Sequence, residues 1–457
     1  MSILPRLAVG TIQPEADLQP IVWGLLNALE QEGVRTQSFL SRACFKPCDG
    51  AAVISGHTAR HLDSWLMSPD VCRNAFLRSA SAGDLAIVEG KYDQAARQCC
   101  DRSKEQREKT AGGSLDLLCE WLDLPRVAVV DVQLITNCHL PGRPAADALL
   151  LDRVSGECDF HRWQTILESL WGVPVIGGLG ECCVLRKNIA GLSGGNKPAR
   201  EWCDGLSDEW RQYSSVSNVM QLATRLGTPG EWSRPQPDEH FSLPHSTVHV
   251  AVAYDEAFHC YFPDTLDMLE LRGAKVRVFS PLRDESLPAE TDIVYLGCGS
   301  PHEHAAALAE NHCMLLALKQ HVCSGKRIYA EGGGLAYLCQ HLETADGKRT
   351  PMVGALRAVA KRNAVRMPPT PVEVTLAGES WLGTAGTKLR GYRNSNWLLE
   401  PTGCITRLAQ EADCELDLIG RHQAIGSRIH LNFAAQPPLL GGFLRPCPAA
   451  LAWGETK

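Results

Sequence analysis

At 457 residues, with 44% hydrophobic and 21% charged side chains, the chain has the length of two to three domains and an ordinary globular composition. A formal net charge of -7 and the absence of any long Lys/Arg run argue against a nucleic-acid partner. No uncharged apolar stretch approaches the roughly 18 to 20 residues that cross a bilayer, and the first residues lack an export signal, so a cytoplasmic protein with no membrane partner is expected.

The first part of the chain alternates short Val/Ile/Leu/Ala runs with helical stretches, the pattern of a parallel sheet covered on both faces. Strands are expected at 6–9, 85–88, 127–130 and 173–176, with helices at 21–32 and 115–122 between them. A glycine-rich loop follows at 191–197, and a helix over 209–226 closes the domain. The stretch 227–245 carries Pro229, Pro235, Pro237 and Pro244 and is expected to be a linker. The expected domains are therefore 1–226 and 246–457, the second opening a new alternating pattern at Thr247.

Nineteen cysteines invite a metal or disulfide reading, but no Cys-x-x-Cys pair occurs. The nearest patterns are Cys44/Cys48 and the adjacent pairs Cys99/Cys100 and Cys182/Cys183, without the repeated spacing of zinc or iron-sulfur sites. Most are expected to be reduced, buried small hydrophobes. His302, His304 and His312 form a local cluster with no matching carboxylate or cysteine spacing, and no metal is assigned to them.

The sharpest local signal lies at 326–338. An apolar strand (Ile328, Tyr329, Ala330) runs into Gly332, Gly333 and Gly334 and then into an expected amphipathic segment, 335–338. That is the layout of a nucleophile elbow, in which a tight strand-to-helix turn presents one side chain to a cleft. Here the tip has no side chain to present.

These residues resemble the cobyrinic acid a,c-diamide synthase family. That resemblance implies an ATP-using, P-loop-NTPase-like parallel α/β domain followed by a class I glutamine amidotransferase-like, flavodoxin-like α/β domain. The family's elbow reads Ala-Glu-Cys-Gly-Gly, which puts its cysteine nucleophile at Gly332. Residues 251–258 and 279–285 are similar to its entry strand and second loop. Leu-Gly-Cys-Gly-Ser-Pro-His-Glu at 296–303 is similar to its glycine-rich oxyanion loop, with one glycine changed to Cys298. Ser-Arg-Ile-His-Leu-Asn at 427–432 places His430 where the family has its catalytic histidine, and Asn432 where it has a second one. In the first half, 60–67, 84–90, 125–131 and 172–177 match family segments, so the resemblance runs from Leu4 to about Leu440.

By the same resemblance, a phosphate-binding loop should follow the first strand. Of it only Gly10 and Thr11 remain. Pro14 removes an N-H donor, Asp17 stands at the lysine position and Leu18 at the magnesium-holding hydroxyl. A carboxylate about 4 Å from a phosphate oxygen costs on the order of 4 kcal/mol at an effective dielectric of 20, more than a few remaining hydrogen bonds return. Glu89 and Asp93 stand where magnesium or substrate ligands are expected, with Lys91 as an alternative ion-pair partner. Asp63 is either a substrate-side residue or a helix N-cap.

In the second domain, Gly297, Gly299 and Gly333 are the expected oxyanion donors and His430 the expected base, with no nucleophile at 332 to activate. Cys298, in the facing loop, is a conceivable substitute nucleophile but is read first as a bland loop cysteine, and Cys339, about two turns beyond the tip, is too far. The favoured expectation is a relative that has lost ATP-dependent amidoligase and glutaminase activity, with a corrinoid or other tetrapyrrole and an active paralogue as its candidate partners. The alternative is a working cobyrinic acid a,c-diamide synthase using ATP and glutamine or ammonia. No cofactor is assigned; magnesium and ATP enter only with that ligase reading.

Overall fold

The structure, a computed structural model, describes residues 4–42, 50–92, 113–135, 140–192, 196–225, 248–365, 367, 369–410 and 416–445. The expected linker at 227–245 lies outside them, as do Asp93, Cys44, Cys48, Cys99 and Cys100. Contacts divide the chain into two compact units, with the division at Pro237/Asp238. Each is a mixed α/β unit built on a sheet.

The first unit holds strands β1 (Arg6–Thr11), β2 (Thr36–Leu40), β3 (Arg60–His61), β4 (Leu85–Lys91), β5 (Arg126–Asp131), β6 (Ala148–Val154) and β7 (Val175–Gly180). They form one sheet in the order β3-β2-β4-β1-β5-β6-β7, every pair parallel. Strand β1 is buried along its whole length, as a strand covered on both faces must be. It is central, between β4 and β5, so the loop after Thr11 lies at the carboxyl edge where successive connections change side.

Helix α1 (Gln19–Gln31) begins with Pro20 in its first turn, where a missing N-H costs nothing. It packs on α2 (Arg200–Tyr213), whose buried Cys203, Leu206, Ser207 and Trp210 recur at helical spacing. The contact is close because Gly24 lies against the Leu206 carbonyl and the Trp210 Cβ. Buried Asn27 donates to Ser207 Oγ and Asp204 Oδ1, both at 3.0 Å.

The second unit contains β8 (His249–Ala253), β9 (Phe258–Cys260), β10 (Lys275–Phe279), β11 (Ile293–Leu296), β12 (Cys298–Gly299), β13 (Arg327–Glu331), β14 (Lys388–Arg393), β15 (Thr406–Arg407), β16 (Leu418–Arg421), β17 (Ala424–Ser427) and β18 (Ile429–Leu431). A seven-stranded sheet runs β10-β8-β11-β13-β17-β16-β15; its first five strands are parallel and the last two pairings antiparallel. Strands β14 and β18 join a separate antiparallel sheet, which carries His430 beside Tyr392. Strand β13 is buried throughout and points its carboxyl end at that sheet's His430.

Candidate functional site

The elbow is present in three dimensions. Strand β13 ends at Glu331, Gly332 adopts φ +49°, ψ -104°, and a short helix α3 (Gly333–Leu338) begins at once. The Gly332 N-H donates to the Ser427 carbonyl at 2.8 Å, pinning the turn to β17. An L side chain is strained at such a φ, which is the strain a nucleophile elbow stores. Gly334 is required for a different reason: a Cβ there would stand 2.3 Å from the Leu296 carbonyl oxygen. The helix departs from expectation in one respect. All six of its residues are buried, so it is not amphipathic but wrapped by core on every side.

What occupies the tip is sulfur from another strand. A Cβ built on Gly332 would lie 2.9 Å from Cys298 Sγ and 3.0 Å from Asn394 Nδ2. Cys298 Sγ is 3.7 Å from His430 Nδ1, and the same nitrogen is 2.5 Å from Glu331 Oε2. The three donor atoms lie within 4.8 Å of one another and all three residues are buried. The imidazole is held flat by Phe262, whose ring stacks on it at 4.3 Å and 15°. Glu331 is held by its other oxygen: Oε1 accepts from Tyr329 Oη at 2.8 Å and from the Leu431 N-H at 3.0 Å.

The electrostatics work against a free thiolate. Burial pushes the Cys298 thiol well up, and Cys260 and Glu331 push it further; the Gly333 N-H and the Asn394 amide, both donating to the sulfur, work the other way. The Asn394 amide is oriented for this because its Oδ1 accepts from the Asn396 N-H at 3.0 Å. As a carboxylate, Glu331 only accepts, so His430 Nδ1 carries the hydrogen between them. The nitrogen that faces the thiol is thus engaged.

The other expected residues fall as follows. The Gly297 N-H donates to Tyr261 Oη at 2.9 Å. Gly299 lies in β12 against Phe258. Cys339 is buried in the apolar core, its thiol pushed up to about 12 by that burial. His304 precedes the helix Ala305–Glu310 and His312 opens the helix His312–Cys323. Among the described residues the group of Cys298, Glu331 and His430 is the one with metal-ligand spacing, so the three local histidines are not gathered into such a group.

In the first unit, the loop after β1 is tied down by its own Gln13 and by Lys91 from β4. Gln13 Nε2 donates to the Asp131 carbonyl at 3.0 Å, and the Asp131 N-H donates to Gln13 Oε1 at 2.8 Å. Thr11 Oγ1 accepts from the Gln13 N-H at 3.1 Å. Lys91 Nζ reaches the Pro14 carbonyl at 2.5 Å. A Cβ on Gly10 would meet Leu115 at 2.5 Å and Tyr92 at 2.8 Å, so no cradle opens there. Glu15 and Asp17 are exposed. Asp131 pairs with Arg153 at 3.1 Å, and buried Asp152 pairs with Arg186. Glu89 is half-buried at the end of β4. Asp63 is buried and accepts from the Trp65 N-H at 2.8 Å, closing a turn rather than capping a helix.

Residues 249–437 match the CobB/CobQ-like glutamine amidotransferase domain. Over 97% of its length the chain is 28% identical to the cobyrinate a,c-diamide synthase of Syntrophotalea carbinolica, covering 98% of that protein. The chain is similar to cobyrinate a,c-diamide synthases over nearly its whole length. It is 26% identical over 93% of its length to the protein of that name from Salmonella typhimurium, covering 94% of it. A solved glutamine amidotransferase is 18% identical, covers 43% of this chain and 96% of its own, and superposes with a TM-score of 0.34. No helix among the described residues is long and apolar enough to cross a membrane.

Sequence reasoning missed the roles of Cys298, Glu331 and Asn394 at this site. Cys298 was visible as the odd residue in a glycine loop, and Asn394 only as a polar residue just past β14. Neither signal told that their side chains would meet at the tip of the elbow.

Proposed function

We propose that this chain is a cobyrinate a,c-diamide synthase-like protein that has given up glutamine hydrolysis at the elbow and ATP binding after β1, and that it serves by binding a corrinoid or a related tetrapyrrole. The observation that carries this is the elbow itself. Gly332 has no side chain, and the sulfur that stands at its tip is buried and faces an imidazole nitrogen already engaged by Glu331. In a working relay, nucleophile and acid take opposite nitrogens of the ring, so that one proton can be accepted while the other is held. The first unit supports the same reading, because Gln13 of the loop is tied to the Asp131 backbone, Pro14 offers no N-H, and the exposed Glu15 and Asp17 carry the same sign of charge as a phosphate. An active paralogue is the natural protein partner for such a chain.

The second reading is an active synthase, in which ATP converts a corrinoid carboxylate to an acyl phosphate and ammonia displaces the phosphate. One observation favours it: a thiol does lie beside His430, although it comes from β12. Incubating the full-length protein with cobyrinic acid, magnesium-ATP and either glutamine or ammonium, read by mass spectrometry, separates the two. No amidated product, together with a shift of the corrinoid absorption on binding, is expected. Amidated product in either tube overturns the proposal, and product from glutamine that vanishes in Cys298→Ser establishes the second reading.

A further inference from the structure

Cys298 Sγ, Glu331 Oε2 and His430 Nδ1 converge from three separate strands on one buried point. A thiol and a carboxylate crowding a single ring nitrogen do not make a proton relay, but the three groups become the ligands of one ion once the 2.5 Å hydrogen bond between Glu331 Oε2 and His430 Nδ1 opens to roughly 3 Å. We propose that these three side chains form a binding site for a divalent zinc-class cation, built where the elbow would hold its nucleophile.

Charge, ligand type and support each lead to this. A thiolate and a carboxylate bring two negative charges into a buried setting whose other contacts to Glu331 are phenols, a backbone N-H and the imidazole. A divalent cation makes that set neutral, which removes the large penalty on buried uncompensated charge. Sulfur, nitrogen and oxygen together suit zinc rather than magnesium or calcium, which prefer oxygen alone. The outer contacts match those of a metal centre. Tyr329 and Leu431 hold Glu331 by Oε1, Tyr295 Oη supports Oε2 from one side at 3.4 Å, Phe262 fixes the imidazole plane, and the Gly333 N-H and Asn394 amide donate to the sulfur. With no side chain at 332, nothing from the elbow competes for the sulfur.

The chemistry balances simply. On binding, the Cys298 thiol gives its proton to solvent, the ring proton moves from Nδ1 to Nε2, and the cation takes the sulfur, the nitrogen and Oε2; one proton leaves per ion. A water completes four-coordination. This inference rests on the silent-elbow reading, since a thiol held by a cation is not a nucleophile for glutamine.

The test is an anaerobic Co2+ titration of the chelator-treated full-length protein, followed by Zn2+ displacement. One equivalent is expected to give thiolate-to-cobalt absorption in the near ultraviolet, to release about one proton per ion and to be displaced by zinc. Cys298→Ser and His430→Gln should each remove that equivalent, leaving only whatever the exposed cysteines bind. Asn394→Ala should keep the absorption but weaken affinity on the order of 10- to 100-fold. Identical absorption and stoichiometry in wild type and Cys298→Ser overturn the proposal. If a variant does not fold, X-ray absorption of the wild type with one equivalent of Zn2+ decides: a sulfur, nitrogen and oxygen shell supports it, and a shell without sulfur sinks it. Glutamine hydrolysis measured on the same samples keeps the two readings apart, because a Cys298-dependent rate overturns the functional proposal whatever the cobalt shows.

Discussion

Gly332 combines a backbone that excludes most side chains with a tip already occupied by Cys298 and Asn394. Gly332→Ala is therefore expected to destabilise the protein by about 1 to 3 kcal/mol, from φ strain and from the contact with the sulfur. Urea denaturation of the single variant and of Gly332→Ala with Cys298→Gly separates the two contributions: the double variant should recover the contact part and keep the strain part. Equal stability of wild type and Gly332→Ala would show that the turn is softer than its dihedrals imply. At this scale the sequence was partly legible. The missing side chain and the histidine could be read directly, because each stands in a local motif. Cys298 could not, because its contact with His430 spans 132 residues and depends on how β12 pairs with β9.

Between elements, His321 is a strut. It sits in the last turn of the helix His312–Cys323, and its Nε2 meets the Arg327 carbonyl at 3.1 Å, tying that helix to the start of β13. Burial lowers its pKa from 6.5 to about 4, only partly offset by that carbonyl. A histidine with a depressed folded-state pKa binds its proton more readily when unfolded. Its contribution is thus present above about 6.5 and is lost as pH falls from there toward about 4. The full swing is on the order of 3 kcal/mol, since each pKa unit is worth about 1.4 kcal/mol. His321→Gln should flatten the difference in urea stability between about pH 7.5 and about pH 4.5 by that order. An unchanged pH slope would assign acid sensitivity elsewhere. The strands at 6–9, 85–88 and 127–130 were legible as apolar runs and extend two or three residues further at most. The expected helix over 209–226 is instead two, Arg200–Tyr213 and Val216–Ala223. The break has a tertiary cause: Ser214 Oγ both accepts from the Gly178 N-H and donates to the Gly178 carbonyl, which needs extended backbone at 214. No propensity of the local sequence announces a partner 36 residues away.

Across the whole molecule, each large apolar cluster draws its residues from one unit alone. A fragment of residues 246–457 is expected to unfold in a single cooperative transition by circular dichroism, and to retain a cobalt equivalent that depends on Cys298. A molten fragment with no such transition would show that its core needs the first unit. The order of strands in that unit also sets when it can form. Strand β13 must pair with β17, about a hundred residues further along, and His430 arrives only after β17 has been made. During synthesis the thiol of Cys298 and the carboxylate of Glu331 therefore emerge long before the imidazole that will sit between them. For that interval the nascent half-sheet has an open edge at β13 and an unguarded sulfur beside it, the kind of surface that chaperones and oxidants meet first.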